Sequence, residues 1–134
     1  MSEHLDKAEL LRKSEERHYN CAQSVLIPFA GEAGLDEEQA YKIASGFGSG
    51  MKTGNVCGAI TGGAMVLGLL GKDSPENMQR LFREIKERHE GQTDCKDLLA
   101  LNAKKGGEKK PHCDRMVYEV ISIVDQMIGE DGLS

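Results

Sequence analysis

The sequence predicts an all-α fold, a single-domain bundle of about five to seven helices around a buried, Gly/Ala-rich central helix. Apolar residues recur at helical spacing, and no alternating pattern is long enough to indicate a strand. Aromatic residues make up only 4% of the 134-residue chain, so Leu, Ile, Val, Met and Ala must fill the core. This length fits one domain, which we place at 1–134.

The N-terminal part of the chain predicts three helices. The first begins near Leu5 and extends as far as His18. A second, over 22–29, follows without a separating Gly or Pro, so the two are candidates for one continuous helix. Pro28 predicts a kink or an end nearby. Asp36 predicts the start of the third helix, because a carboxylate can accept the free N–H groups of a first turn.

A glycine-rich loop leads from the third helix to Cys57, and it contains Gly48, Gly50 and Gly54. We expect this loop to shape the backbone around Cys57. An alternative is that its N–H groups cradle an anion, as successive backbone amides can. The spacing of a phosphate-binding Walker A loop is absent.

The stretch 57–70 predicts the central helix, because it is apolar on all sides and therefore suited to burial. Its small residues fall four apart, as at Gly58 and Gly62. Each internal Gly costs roughly 1 kcal/mol of helix propensity relative to Ala. We therefore expect these positions to allow the close approach of a neighbouring helix.

Three further helices follow. Residues 74–75, a Ser followed by Pro, predict one start, and Gly91 predicts the end of that helix. Residues 93–94 cap a short helix, and a Lys/Gly loop follows it. Pro111 opens the last helix, which Gly129 is expected to end.

Charge and hydropathy restrict the partners and the location. The net charge of −5 argues against nucleic acid, which requires clustered cations. The one basic run is expected to be a solvated loop; it comprises Lys104, Lys105, Lys109 and Lys110. The polar N-terminus lacks a signal core, and the apolar stretch 59–70 is shorter than the roughly 20 residues that span a bilayer. We expect a soluble, cytoplasmic protein with no membrane insertion.

The four cysteines are Cys21, Cys57, Cys95 and Cys113, separated by 36, 38 and 18 residues. The absence of a CxxC pair excludes a zinc ribbon and thioredoxin-type local chemistry. Any shared site must therefore be assembled by the fold. Thiols in the cytoplasm stay reduced, which favours a catalytic, redox or metal-binding role over structural disulfides.

Each cysteine lies near a predicted helix start, where free N–H groups and the helix dipole lower a thiol's pKa. We predict Cys57 as the attacking thiolate, because its helix start is the most distinctive. The alternative is that the cysteines are inert core residues, as free Cys often is. His18 and His112 lie close to cysteines in sequence, and either is a candidate base or ligand or an exposed residue.

Residues 57–62 (CGAITG) are similar to the Cys-Gly-Ala-x-x-Gly core of the C_GCAxxG_C_C family of putative redox-active proteins. Residues 19–26 (YNCAQSVL) and 44–50 (ASGFGSG) resemble the family's first cysteine segment and its glycine-rich approach. Cys95 and Cys113 match its last two cysteines. The resemblance implies a small helical protein with four functional cysteines and a redox role, and it supplies no substrate.

Two function hypotheses follow. The first is an oxidoreductase of the thiol–disulfide type, with an attacking and a resolving cysteine, no required cofactor, and an unknown redox partner or small-molecule substrate. The alternative is a non-enzymatic protein in which the same four cysteines hold Zn²⁺ or an iron–sulfur cluster. The oligomeric state stays open.

Overall fold

Seven α-helices carry the fold of residues 2–131, the part of the chain that the computed structural model describes. They are α1 (Glu3–Lys13), α2 (Cys21–Ala30), α3 (Glu37–Ala44), α4 (Gly58–Leu69), α5 (Pro75–Arg88), α6 (Cys95–Lys104) and α7 (Lys109–Asp131). No strand occurs within 2–131, and the predicted all-α bundle is confirmed. None of these helices is long and apolar enough to cross a membrane. Met1 and residues 132–134 of the predicted domain lie outside the described residues.

The predicted continuity of the first two helices is wrong, because Asn20 starts a new helix. α1 ends at Lys13, and Asn20 has extended backbone geometry. The Asn20 side-chain oxygen accepts the backbone N–H of Gln23 at 2.8 Å, and the Gln23 side chain accepts the N–H of Asn20 at 2.7 Å. This reciprocal capping box satisfies N–H groups that a continuous helix would have bonded internally.

The predicted caps of two other helices are confirmed. The Asp36 carboxylate accepts the N–H of Glu38 at 2.6 Å, and the Ser74 hydroxyl accepts the N–H of Asn77 at 3.2 Å. At both sites a short polar side chain replaces a hydrogen bond that the first helical turn cannot make.

Prolines and glycines mark the helix ends less sharply than the sequence predicts. Pro28 lies within α2, which continues to Ala30. Pro111 lies in the first turn of α7, which already begins at Lys109, and Gly129 precedes the end of that helix. Proline is tolerated in a first turn, because the N–H group it lacks has no partner there.

The central helix α4 packs against its neighbours through glycine. A Cβ atom added at Gly62 would lie 2.9 Å from both the Ala22 carbonyl oxygen and the Val25 Cβ of α2. One added at Gly58 would lie 2.9 Å from the Phe47 carbonyl oxygen. These distances are shorter than normal contacts, so the predicted role of the small residues in close helix packing is confirmed at these positions.

Gly62→Ala is expected to destabilise the fold by about 1–3 kcal/mol, because the added methyl group overpacks the α2–α4 contact. Gly68→Ala is the matched control in the same helix, since its Cβ would approach only Asp73 Oδ2, at 3.9 Å. That control should be neutral or stabilise by up to about 1 kcal/mol through helix propensity. Urea unfolding measures both, and equal effects would contradict the close packing.

Candidate functional site

The four cysteines approach one cavity from four helices. Cys21 and Cys95 are the first residues of α2 and α6, and Cys57 immediately precedes α4. Cys113 lies one turn inside α7 rather than at its start. All four are free and line a cavity of about 180 Å³. The fold thus brings together residues that the sequence separates by up to 92 positions.

A short antiparallel bridge holds Cys57 and Cys95 side by side. Val56 pairs with Asp94. The Cys57 N–H donates to the carbonyl oxygen of Thr93 at 2.9 Å, and the Cys95 N–H donates to the carbonyl oxygen of Asn55 at 2.6 Å. These backbone hydrogen bonds fix the starts of α4 and α6 relative to each other and involve no side chain.

The glycine-rich segment before the bridge forms a left-handed turn. Ser49, Gly50, Met51 and Lys52 have φ values of 53°, 61°, 60° and 61°. A Cβ atom added at Gly50 would lie 2.4 Å from the Asn55 carbonyl oxygen, the atom that holds Cys95. Since three of these residues are not glycine, the turn stores roughly 1–2 kcal/mol of strain at each of them. The segment therefore shapes the backbone just before Cys57.

Gly48 and Gly54 connect this segment to neighbouring helices. The backbone of Gly48 lies against the Asn20 side chain, where an added Cβ would be 2.7 Å from the Asn20 Cβ. Gly54 has a φ of 78° and lies beside Lys96. An anion-cradling role for this loop stays a prediction.

Cys113 has the most acidic thiol of the site. A hydrogen bond from the Cys21 thiol, aided by the cations Arg12 and Lys109, lowers the pKa of Cys113 to about 6. Burial and the nearby Asp114 carboxylate oppose this without outweighing it. The same hydrogen bond, with burial, raises the pKa of Cys21 well above its ordinary value. At neutral pH the pair is therefore a Cys113 thiolate beside a protonated Cys21.

The pKa of Cys57 does not favour its predicted role as the attacking thiolate. Burial raises the pKa of Cys57 to about 11, although the N–H groups of Ala59 and Ile60 act in the opposite direction. Burial also raises the pKa of Cys95. The expected effect of the helix start exists at Cys57, but the loss of solvation is larger.

Arg12 is a site residue that the sequence did not reveal. Its side chain is 8% exposed; its Nε donates to Asp114 at 2.7 Å and its Nη1 to the carbonyl oxygen of Tyr19 at 2.9 Å. Asp114 lies 102 positions away in the sequence, so no local pattern could have paired the two. Lys109 was expected in a solvated loop, but it begins α7 and lines the cysteine cavity.

His18 and His112 both line the cavity. His18 lies between α1 and α2, so it does not share a helix with Cys21. His112 is 8% exposed, and burial lowers its pKa, which leaves its imidazole neutral at pH 7. The base or ligand role of each stays a prediction.

The geometry does not fit the predicted Zn²⁺ or iron–sulfur site. Among residues 2–131, no three or more His, Cys, Asp or Glu side chains are arranged to hold a metal ion. The four cysteines line one cavity but form no such group among the described residues, whereas a structural site of either kind needs four converging ligands.

A family model described as "Putative redox-active protein (C_GCAxxG_C_C)" matches residues 19–127. The chain belongs to this family. The match includes all four cysteines, and the resemblance seen around residues 57–62 is confirmed. No curated protein and no solved structure matches the chain.

Cys21→Ala is expected to raise the pKa of Cys113 from about 6. An increase of about 1 follows from losing a hydrogen bond to a charged acceptor, worth roughly 1.5 kcal/mol. Cys21→Ser keeps an O–H donor and should shift the pKa less. The pH dependence of iodoacetamide alkylation at Cys113, followed by peptide mapping, measures both. Identical profiles for the two variants would contradict the role of the Cys21 donor.

Gly50→Ala is expected to displace Asn55 and weaken the backbone bond that holds Cys95 beside Cys57. Alkylation of buried Cys57 should then accelerate by roughly tenfold, which corresponds to about 1.4 kcal/mol of lost local stability. Gly46→Ala is the matched control, because nothing lies within 4 Å of its Cβ position. Unchanged protection of Cys57 in Gly50→Ala would refute this role of the turn.

Proposed function

We propose that the chain is a thiol–disulfide oxidoreductase in which Cys21, Cys57, Cys95 and Cys113 carry the reaction. The observation that supports this most directly is the low pKa of Cys113, about 6, beside the protonated Cys21 thiol in a shared cavity. A thiolate that forms below neutral pH is a nucleophile, and a second thiol in contact with it can resolve the product.

In the proposed reaction, the Cys113 thiolate attacks one sulfur of a substrate disulfide. A mixed disulfide forms, and the other substrate sulfur leaves as a thiolate that takes a proton from water. Cys21 then loses its proton to solvent and attacks the Cys113 sulfur, which releases the second substrate thiolate. The protein dithiol is oxidised to a Cys21–Cys113 disulfide, and the substrate disulfide is reduced to two thiols.

The charges of the pair favour this order of events. While Cys113 is a thiolate, the hydrogen bond to it raises the pKa of Cys21. The mixed disulfide carries no charge on Cys113, so that effect is lost. Arg12, which lowers the pKa of Cys21, stays in place. Cys21 therefore becomes more acidic at the step in which it must act as a nucleophile.

Cys57 and Cys95 form the second dithiol of the proposal. The bridge that precedes α4 and α6 holds them together, and Cys113 is close enough for its negative charge to raise the pKa of Cys95. Exchange with the Cys21–Cys113 disulfide would oxidise this second pair and return Cys113 to its reduced form. Since both pKa values are raised, this step should be slower at neutral pH and accelerate as the pH rises.

The cytoplasm is the compartment that we propose for this chemistry. A reducing compartment keeps the four thiols in the free state from which the reaction starts.

Oxidation of the reduced protein with one equivalent of a disulfide is expected to form the Cys21–Cys113 bridge first. Non-reducing peptide mapping by mass spectrometry identifies the bridge. Cys113→Ser should slow the reaction at least about a hundredfold, because the remaining thiols have raised pKa values. Cys95→Ser is the control and should leave this first step intact. A wild-type rate of oxidation in Cys113→Ser would contradict the proposed role of Cys113 as the attacking thiolate.

A further inference from the structure

Apart from the Cys113 thiolate, the charged side chains that line the cysteine cavity are all cationic. Among the described residues that line it, Arg12 and Lys109 are cations, and none is acidic. A second groove of about 390 Å³ adjoins it and shares Arg12, His18, Lys109 and Cys113 with it. The groove adds Lys110 and again no acidic residue among the described ones. Cys113 therefore lies where two cationic recesses meet.

Two of the three cations already have a carboxylate partner. Arg12 donates to Asp114 at 2.7 Å, and Lys110 contacts the same carboxylate at 3.2 Å. Lys109 makes no ion pair or side-chain hydrogen bond within residues 2–131, yet its charge lowers the pKa of both Cys95 and Cys113. Lys109 is thus a cation without a carboxylate partner among the described residues, and it lies close to Cys95 and Cys113.

We propose that the site acts on small-molecule disulfides that carry a carboxylate or phosphate group, and that Lys109 binds this anionic group. This inference rests on the proposed thiol–disulfide function. A thiolate repels an anionic disulfide, so such a substrate reacts well only where a neighbouring cation offsets the repulsion. Lys109 can offset this repulsion without breaking an ion pair within residues 2–131.

The recessed position of Cys113 favours a small substrate over a protein disulfide. Cys113 is half-buried and lines both the 180 Å³ cavity and the 390 Å³ groove. A small disulfide can place one half in each recess, with its sulfur–sulfur bond at Cys113. A disulfide fixed in a folded protein would have to project into this junction.

In the proposed exchange at Cys113 and Cys21, two protein thiols are oxidised as one substrate disulfide is reduced to two thiols. One turnover of the reduced protein requires no further reductant. The anchored anionic group stays on the thiol that Cys21 releases, so Lys109 contacts the substrate through both steps. Lys109 accordingly affects the approach of the substrate, whereas the bond changes occur at sulfur.

The test is a single turnover of the reduced full-length protein with two probes, 3,3′-dithiodipropionate and bis(2-hydroxyethyl) disulfide. Both are aliphatic disulfides of similar length, and only the first is a dianion at neutral pH. The readout is the ratio of their second-order rate constants. A change in the thiolate fraction of Cys113 alters both rates equally and leaves this ratio unchanged.

Lys109→Gln is expected to lower the dianion-to-neutral ratio about fivefold, the worth of one exposed ion pair. Lys104→Gln removes the same charge from an exposed position outside both recesses and should leave the ratio unchanged. Added salt should reduce the wild-type ratio and have less effect on Lys109→Gln.

The outcomes separate this inference from the proposed function. If both probes react at Cys113 but Lys109→Gln and Lys104→Gln give the wild-type ratio, the substrate class is wrong and the thiol–disulfide function stands. If neither probe oxidises the wild-type protein, both proposals fail. A lower ratio confined to Lys109→Gln supports the anionic substrate.

Discussion

The close contact between α2 and α4 is the constraint on which the site depends. Gly62 lets α4 lie directly on the backbone of α2, and Gly58 continues the contact to the start of both helices. A Cβ atom at Gly58 would lie 3.4 Å from the Cys21 Cβ, so the contact places the residue next to Cys57 against Cys21. Two cysteines that are 36 positions apart thereby reach one cavity. Gly58 and Gly62 therefore act on the site through packing.

Burial and local hydrogen bonds decide which thiol is acidic. Cys21, Cys57 and Cys95 all lie at helix starts, and all three have raised pKa values. Cys113 lies a turn inside its helix and has a lowered pKa, because a thiol donor and two cations face it. A helix dipole of roughly half a charge does not offset the desolvation of a buried thiolate such as that of Cys57. The position of a cysteine at a helix start therefore does not decide which of the four thiols is the most acidic.

Local features of the sequence predicted the fold better than they predicted the site. Periodicity and caps such as Asp36 and Ser74 act over a few residues, so the helices could be read from the chain. The break at Asn20 stayed open at the level of sequence, because its capping box consists of ordinary polar residues inside a helical pattern. Arg12 could not be found, because its effect on Cys113 depends on contacts between the two ends of the chain.

The cations around the cysteine cavity give an entering ligand a positively charged environment. Asp114 pairs with both Arg12 and Lys110, so those two cations already have a carboxylate partner within the protein. Lys109 has no such partner within residues 2–131, and its positive charge is balanced in part by the Cys113 thiolate. Formation of a mixed disulfide removes that negative charge. A neutral substrate would then leave Lys109 without a counter-charge, whereas an anionic substrate brings its own. In the proposed reaction, the mixed disulfide as well as the first encounter therefore favours an anionic substrate.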